Sequence, residues 1–117
     1  MSGPVVTFDR LSAYQVMWIL VMFDLPTETK AQRKSYAKFR KGLIADGFTK
    51  FQFSIYVRNC ASRENMKVHI NRVKSILPSK GKICIFSITD RQFQEIELYE
   101  GYSKTPPIPN GIQLELF

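Results

Sequence analysis

Cysteine and histidine are almost missing from this sequence: its 117 residues contain only Cys60, Cys84 and His69. So few, and so scattered, they exclude a disulfide framework and argue against a structural zinc site. Long apolar runs are missing as well. The stretch MWILVMF (17–23) falls well short of the roughly 18 to 20 residues that span a bilayer, and no membrane association is expected. No secretory leader is recognisable, so the expected address is cytoplasmic, with both thiols free. Core-forming residues are plentiful: 44% of the chain is hydrophobic, with nine Phe, five Tyr and one Trp. That composition excludes disorder for most of the chain and suits one domain.

Acidic residues are scarce where basic ones crowd. The formal charge of +7 and pI near 9.6 divide unevenly: residues 1–29 carry −2, residues 30–82 carry +12 and residues 83–117 carry −3. A basic middle between acidic ends predicts a polyanionic partner, with nucleic acid the leading candidate.

MWILVMF shows no polar alternation, the pattern of a central strand covered on both faces. Asp24 follows it, and Pro26 forces a turn. An Asp in this place either supports the turn or serves a site, and the residues alone leave both open. Thr27 is the expected N-cap of a helix with Glu28 in its first turn and a stop at Gly47. Tyr36, Phe39 and Leu43 share one face of that helix; Lys30, Arg33, Lys34, Lys38 and Lys41 share the other, with Arg40 at its edge. FTKFQFSIYVRN (48–59) is long for one strand, and a break or bulge is expected at 52–54. On a regular strand Phe51, Phe53, Ile55 and Val57 would share a face. Ser62 caps a second helix, expected to run to Leu77 before Pro78, with Met66, Ile70, Val73 and Leu77 as its stripe. His69 flanks that stripe as a packing residue. KICIFSIT (82–89) is another strand, EIELY (95–99) a short further one, and IQLELF (112–117) alternates strictly after Pro106, Pro107 and Pro109.

The order strand, helix, strand, strand, helix, strand predicts an α+β fold: a ferredoxin-like βαββαβ sandwich with an additional C-terminal strand. The expected division is an N-terminal extension (1–16), the ferredoxin-like domain (17–94) and a C-terminal strand and tail (95–117). Two helices cover only one sheet face. Trp18, Leu20, Met22 and the aromatics of 51–56 exceed what they can bury, so the open face predicts an interface.

Three segments, in this order and spacing, resemble the CRISPR-associated protein 2 family, the small subunit of the spacer-acquisition machinery. They are the strand ending in Phe23 and Asp24, FQFSIY (51–56) and ITDRQF (88–93). The resemblance implies a homodimer paired through the open sheet faces, with the segment after the fourth strand reaching the partner subunit. It implies that Asp24 is the carboxylate of metal binding and hydrolysis. One carboxylate per chain is too few for a divalent ion such as Mg²⁺, but two-fold symmetry would bring both copies of Asp24 to one cleft. It places Arg33 among residues that contact nucleic acid, and Phe51 and Ser54 near the cleft, core packing being equally open for Phe51. Residues 1–13 receive no role.

Two functions follow from this resemblance and the basic helix face. As a scaffold, the dimer holds duplex DNA through Lys30, Arg33, Lys34, Lys38 and Lys41 while the integrase subunit, CRISPR-associated protein 1, binds the ends. As an endonuclease it uses Asp24 and Mg²⁺ to cut RNA or DNA. Abundant basic surface and a single candidate acid favour the scaffold as the main role. The tail residues Ile112, Leu114 and Leu116 are expected to dock as a strand, on the integrase or on their own dimer. From another class, an RNA-recognition module shares the element order, and KFQFSIYV echoes its aromatic motif without the required Gly.

Overall fold

A computed structural model describes residues 16–107. β1 (Met17–Asp24) leads to α1 (Lys30–Ala45), the hairpin β2 (Thr49–Gln52) and β3 (Ile55–Cys60), α2 (Arg63–Ser75) and β4 (Lys82–Thr89). A short helix α3 (Asp90–Gln94) and a small hairpin, β5 (Leu98–Glu100) with β6 (Ser103–Thr105), follow. The four-stranded sheet has the order β2-β3-β1-β4 and is antiparallel at every pairing, as a ferredoxin-like βαββαβ chain requires.

Period-two alternation splits β1 between two cores. Met17, Ile19, Val21 and Phe23 meet Phe39 and Leu43 of α1 and Met66 and Val73 of α2, so both helices lie on one face. Trp18 and Leu20 point to the other face and pack with Val57 and Phe93, with Phe51 alongside. Phe93 stacks on Trp18 with centroids 3.7 Å apart, and Asp90 Oδ1 accepts the indole N–H at 2.7 Å. The segment directly after β4 therefore folds over its own sheet, narrowing what is left for a partner. Met22, Cys84 and Phe86 remain exposed at the far end of that face.

Several boundaries differ from the sequence expectations. α1 is capped by Thr29, not Thr27: the Thr29 hydroxyl accepts from Gln32 N–H, and the Gln32 side chain returns a bond to Thr29 N–H. This reciprocal capping box outcompetes a lone hydroxyl two residues earlier and leaves Glu28 outside the helix. α2 begins after Ser62 as expected but ends at Ser75, so Leu77 lies outside the stripe and is exposed. The break at 52–54 is a two-residue turn, with a register shift between Lys50 and Gln52. Phe53 is consequently not on the face shared by Phe51 and Val57; it sits at the turn. The strand expected at 95–99 forms at 98–100 and pairs with β6 instead of the main sheet, because α3 uses residues up to Gln94. Residues 1–15 and the tail residues Ile112, Leu114 and Leu116 lie outside the described residues.

Asp46, at the C-terminus of α1, joins the two helices to the sheet. Its carboxylate accepts from His69 Nδ1 at 2.8 Å and Arg72 Nη1 at 2.9 Å, both on α2, and its carbonyl accepts from Arg58 Nε of β3 at 2.7 Å. His69 is thus a buried packing residue with a bonded ring nitrogen. Gly47 follows in the left-handed region (φ 89°) and ends the helix as expected. Replacing Asp46 by Ala leaves the buried His69 nitrogen without this partner and should cost about 1–3 kcal/mol of unfolding free energy. A urea titration followed by circular dichroism checks this: the midpoint should fall with the slope unchanged.

Candidate functional site

Asp24 ends β1 on the open sheet face, in line with Trp18, Leu20 and Met22. Its carboxylate is exposed and has neither a hydrogen bond nor an ion pair among the described residues. Lys82 is its cross-strand partner on β4, yet no ion pair joins them. The strand end is nonetheless rigid. Phe23, one residue earlier, points the opposite way into an aromatic cluster, edge-on to Phe39 at 5.2 Å and to Tyr36 at 5.7 Å and stacked near Tyr56 at 5.8 Å.

Two turns close on Asp24. Phe23 N–H donates to the Ser54 carbonyl at 3.0 Å, stitching the β2–β3 turn to β1. Ser54 holds φ 63°, a left-handed conformation uncommon for a non-glycine residue, and its hydroxyl lies 3.4 Å from Tyr36 Oη. On the other side, Gly81 precedes β4 with φ 96°. A Cβ there would lie 2.8 Å from the Asp24 carbonyl oxygen and 2.5 Å from Leu25 Cδ2, so only glycine admits this approach. The result is an open depression of about 520 Å³ running past Asp24, with Met22 and Ile55 as apolar lining, Phe53 and Ser54 on one side and Lys82 and Cys84 on the other.

The cations predicted from the helical wheel are all exposed on α1: Lys30, Arg33, Lys34, Lys38 and Lys41. Arg33 differs from the four lysines. Its Nη1 donates to the carbonyls of Thr27 and Glu28 at 3.1 and 3.0 Å, latching the loop that leaves Asp24. Phe51 packs against the Trp18 cluster, as a core residue does, whereas Ser54 borders the depression. Gly81, Lys82 and the Asp46 clamp were not singled out by sequence reasoning, and Phe53 was read only as part of a strand face and motif. The turn SKG (79–81) ahead of an apolar strand was the one visible signal for Gly81 and Lys82.

Among the described residues no three His, Cys, Asp or Glu side chains converge as a metal-binding group. No described helix is long and apolar enough to cross a membrane. Of the two thiols, Cys84 is exposed and Cys60 is buried, and burial pushes the Cys60 thiol pKa up against the opposing pull of Arg58.

The family model for CRISPR associated protein Cas2 matches residues 17–96, from the first residue of β1 past the end of α3. The chain belongs to the Cas2 family. It is 52% identical over 110 residues to a CRISPR-associated endoribonuclease Cas2 of Flavobacterium psychrophilum, covering 94% of this chain and 96% of that relative. A protein of the same name from Parvibaculum lavamentivorans is 48% identical over 86% of this chain and 100% of its own length. The fold matches a solved structure titled "Crystal structure of cas2" with a TM-score of 0.53, covering 83% of this chain and 99% of that one, at 15% sequence identity. The resemblance drawn from the three sequence segments is borne out, and so is the ferredoxin-like fold.

Within this Cas2-family fold Gly81 sets how closely β4 approaches the Asp24 strand end. Gly81→Ala combines a left-handed backbone with a backbone clash and should cost about 1–3 kcal/mol. A thermal melt reads the loss, and Gly81→Asn, which tolerates that backbone better, should also be destabilised because the Cβ clash persists.

Proposed function

We propose that this Cas2-family chain serves CRISPR spacer acquisition as a basic homodimer that binds duplex DNA and bridges integrase subunits, and that it carries an endonuclease centre at Asp24. The observation that carries the reading is the Asp24 carboxylate, unpartnered among the described residues and placed at the rim of a sheet face that those residues leave partly bare. Pairing two chains through Met22, Cys84 and Phe86 would remove an exposed apolar patch from water and bring two such carboxylates toward a shared axis.

A divalent ion tests the donor set directly. One carboxylate is too few to hold Mg²⁺ against water, and among the described residues Asp24 belongs to no group of three His, Cys, Asp or Glu side chains, so the proposed fit uses Asp24 from both subunits. When bound, Mg²⁺ would polarise a phosphodiester and activate water. Phe23 and the Ser54 carbonyl hold the carboxylate's strand in place, and Gly81 allows the β4 turn to approach it. The relatives carry the name endoribonuclease, which supports RNA as a substrate of this centre.

The helix faces serve the scaffold role. Lys30, Lys34, Lys38 and Lys41 point away from the apolar side of α1 and suit phosphate contacts that position a duplex without reading its sequence. The tail, through Ile112, Leu114 and Leu116, is assigned to docking on the integrase, since its acidic surroundings make it a poor ligand for DNA.

Asp24→Asn should abolish Mg²⁺-dependent cleavage of RNA or DNA while leaving duplex affinity unchanged or slightly tighter, because one negative charge per subunit is removed. Gel assays of cleavage and binding on the purified variant decide it; wild-type cleavage rates in Asp24→Asn would place the activity elsewhere. For the scaffold, replacing Lys30, Lys34, Lys38 and Lys41 by Gln while keeping the Arg33 latch should weaken duplex binding for every sequence alike. The plot of log affinity against log salt should flatten by about 0.9 per lysine that meets a phosphate. An unchanged slope would mean that this face does not contact DNA.

A further inference from the structure

We infer that Lys82 is a second catalytic residue of the Asp24 centre, its ammonium group holding a non-bridging oxygen of the scissile phosphodiester. The inference rests on the assignment of Asp24 as the cleavage carboxylate and adds to it a residue from a second strand.

Sheet register places Lys82 as firmly as Asp24. β1 and β4 pair without a break from Met17 with Thr89 to Asp24 with Lys82. Residues directly opposite each other in an antiparallel pair share a face, with Cβ atoms about 4.5–5.5 Å apart. Ile83 and Ile85 pack into the helix-side core, so Lys82 faces the other way, with Asp24. Just before it, Gly81 brings the chain so close to Asp24 that a Cβ there would lie 2.8 Å from the Asp24 carbonyl oxygen. The approach of two strands thus sets a carboxylate and an amine beside one depression.

Charge in that depression is scarce. Among the described lining residues Lys82 is the one cation and Asp24 the one anion. The lysines of α1 lie beyond the sheet, on the helix side, and Arg33 is held by two carbonyls. A phosphate beside Asp24 would therefore meet an anion and, within this lining, Lys82 alone to offset it. Lys82 is exposed and makes no ion pair with Asp24. An exposed pair of this kind gains little, so the ammonium group can turn to a phosphate readily.

Phosphodiester hydrolysis gives that charge a task. The water oxygen bonds to phosphorus as the bond from phosphorus to the leaving sugar oxygen breaks; water gives up a proton to solvent, and the sugar oxygen takes one. Negative charge shifts onto the phosphoryl and leaving oxygens on the way, so a cation already in place binds the transition state more tightly than the substrate. Lys82 keeps its own proton throughout. β4 is an edge strand, where a lysine also deters pairing with other sheets, but other charged side chains serve that purpose as well.

Steady-state cleavage of a labelled RNA oligonucleotide and of a DNA duplex, in Mg²⁺, compares wild type, Lys82→Gln, Lys82→Arg and Asp24→Asn. Calorimetric titration with Mn²⁺, without nucleic acid, reads ion binding separately. Lys82→Gln should lower kcat about a hundredfold with little change in KM, within the range for removing one oxyanion donor. Its Mn²⁺ affinity should be unchanged or higher, because a positive charge beside the carboxylate is gone. Lys82→Arg keeps the charge and should keep most of the rate. An unchanged kcat in Lys82→Gln, a loss confined to KM, a matching loss of Mn²⁺ affinity, or an equally inactive Lys82→Arg overturns the inference. The two assignments fail separately: cleavage that survives in Asp24→Asn defeats the nuclease reading, and cleavage lost in Asp24→Asn but intact in Lys82→Gln defeats the role of Lys82 alone. A wild type that cuts neither substrate removes both.

Discussion

The architecture depends on β1 being used on every side. It pairs with β3 on one edge and β4 on the other, and residues 17–21 are buried on both faces. No backbone group or side chain along that length has freedom to change register, since a slip of one residue would exchange the two cores. Only at Met22 does one face open, while Phe23 and Leu25 keep the other closed. Asp24 therefore emerges at one defined point, and the same register sets Lys82 opposite it. Register and packing thus fix the strand end that carries this carboxylate, although no hydrogen bond holds the carboxylate itself among the described residues.

The second constraint is the Asp46 clamp, which holds α2 to α1 and both to β3. It changes how the basic charge of residues 30–82 should be read. Arg58 donates to the Asp46 and Asn59 carbonyls, Arg72 pairs with the Asp46 carboxylate, and Arg33 latches the loop after β1. Arginine's planar fork suits such fixed acceptors, whereas the lysines of α1 stay in solvent as mobile point charges. In this molecule the arginines are partly structural, and the surface left for a polyanion is chiefly lysine.

The open face is handled by two means. Near the start of β1, α3 returns over the sheet, Phe93 stacks on Trp18, and Asp90 takes the indole proton. Near its end nothing among the described residues covers Met22 or Phe86, and the depression lined by Asp24 opens there. The covered half is therefore rigid hydrophobic core, while the bare half has the apolar surface that a second copy can use and the carboxylate that chemistry can use.

Composition and periodicity determined the class of fold, the central strand, both amphipathic helices, the Gly47 stop and the division of α1 into an apolar and a cationic side. These are local properties: side-chain period and turn chemistry are written in neighbouring residues. The order of three short segments was sufficient to point to the family. Where competing local signals were close, local reading slipped by two residues, as between Thr27 and Thr29, because a reciprocal capping box is a geometric outcome of four residues together. Tertiary structure alone decided that Phe93 covers Trp18, that Asp46 reaches residues 23 and 26 positions away, and that Ser54, Gly81 and Lys82 gather around Asp24. Those groups lie far apart along the chain. Their meeting follows from sheet register and from close backbone approach, neither of which any single stretch of sequence encodes.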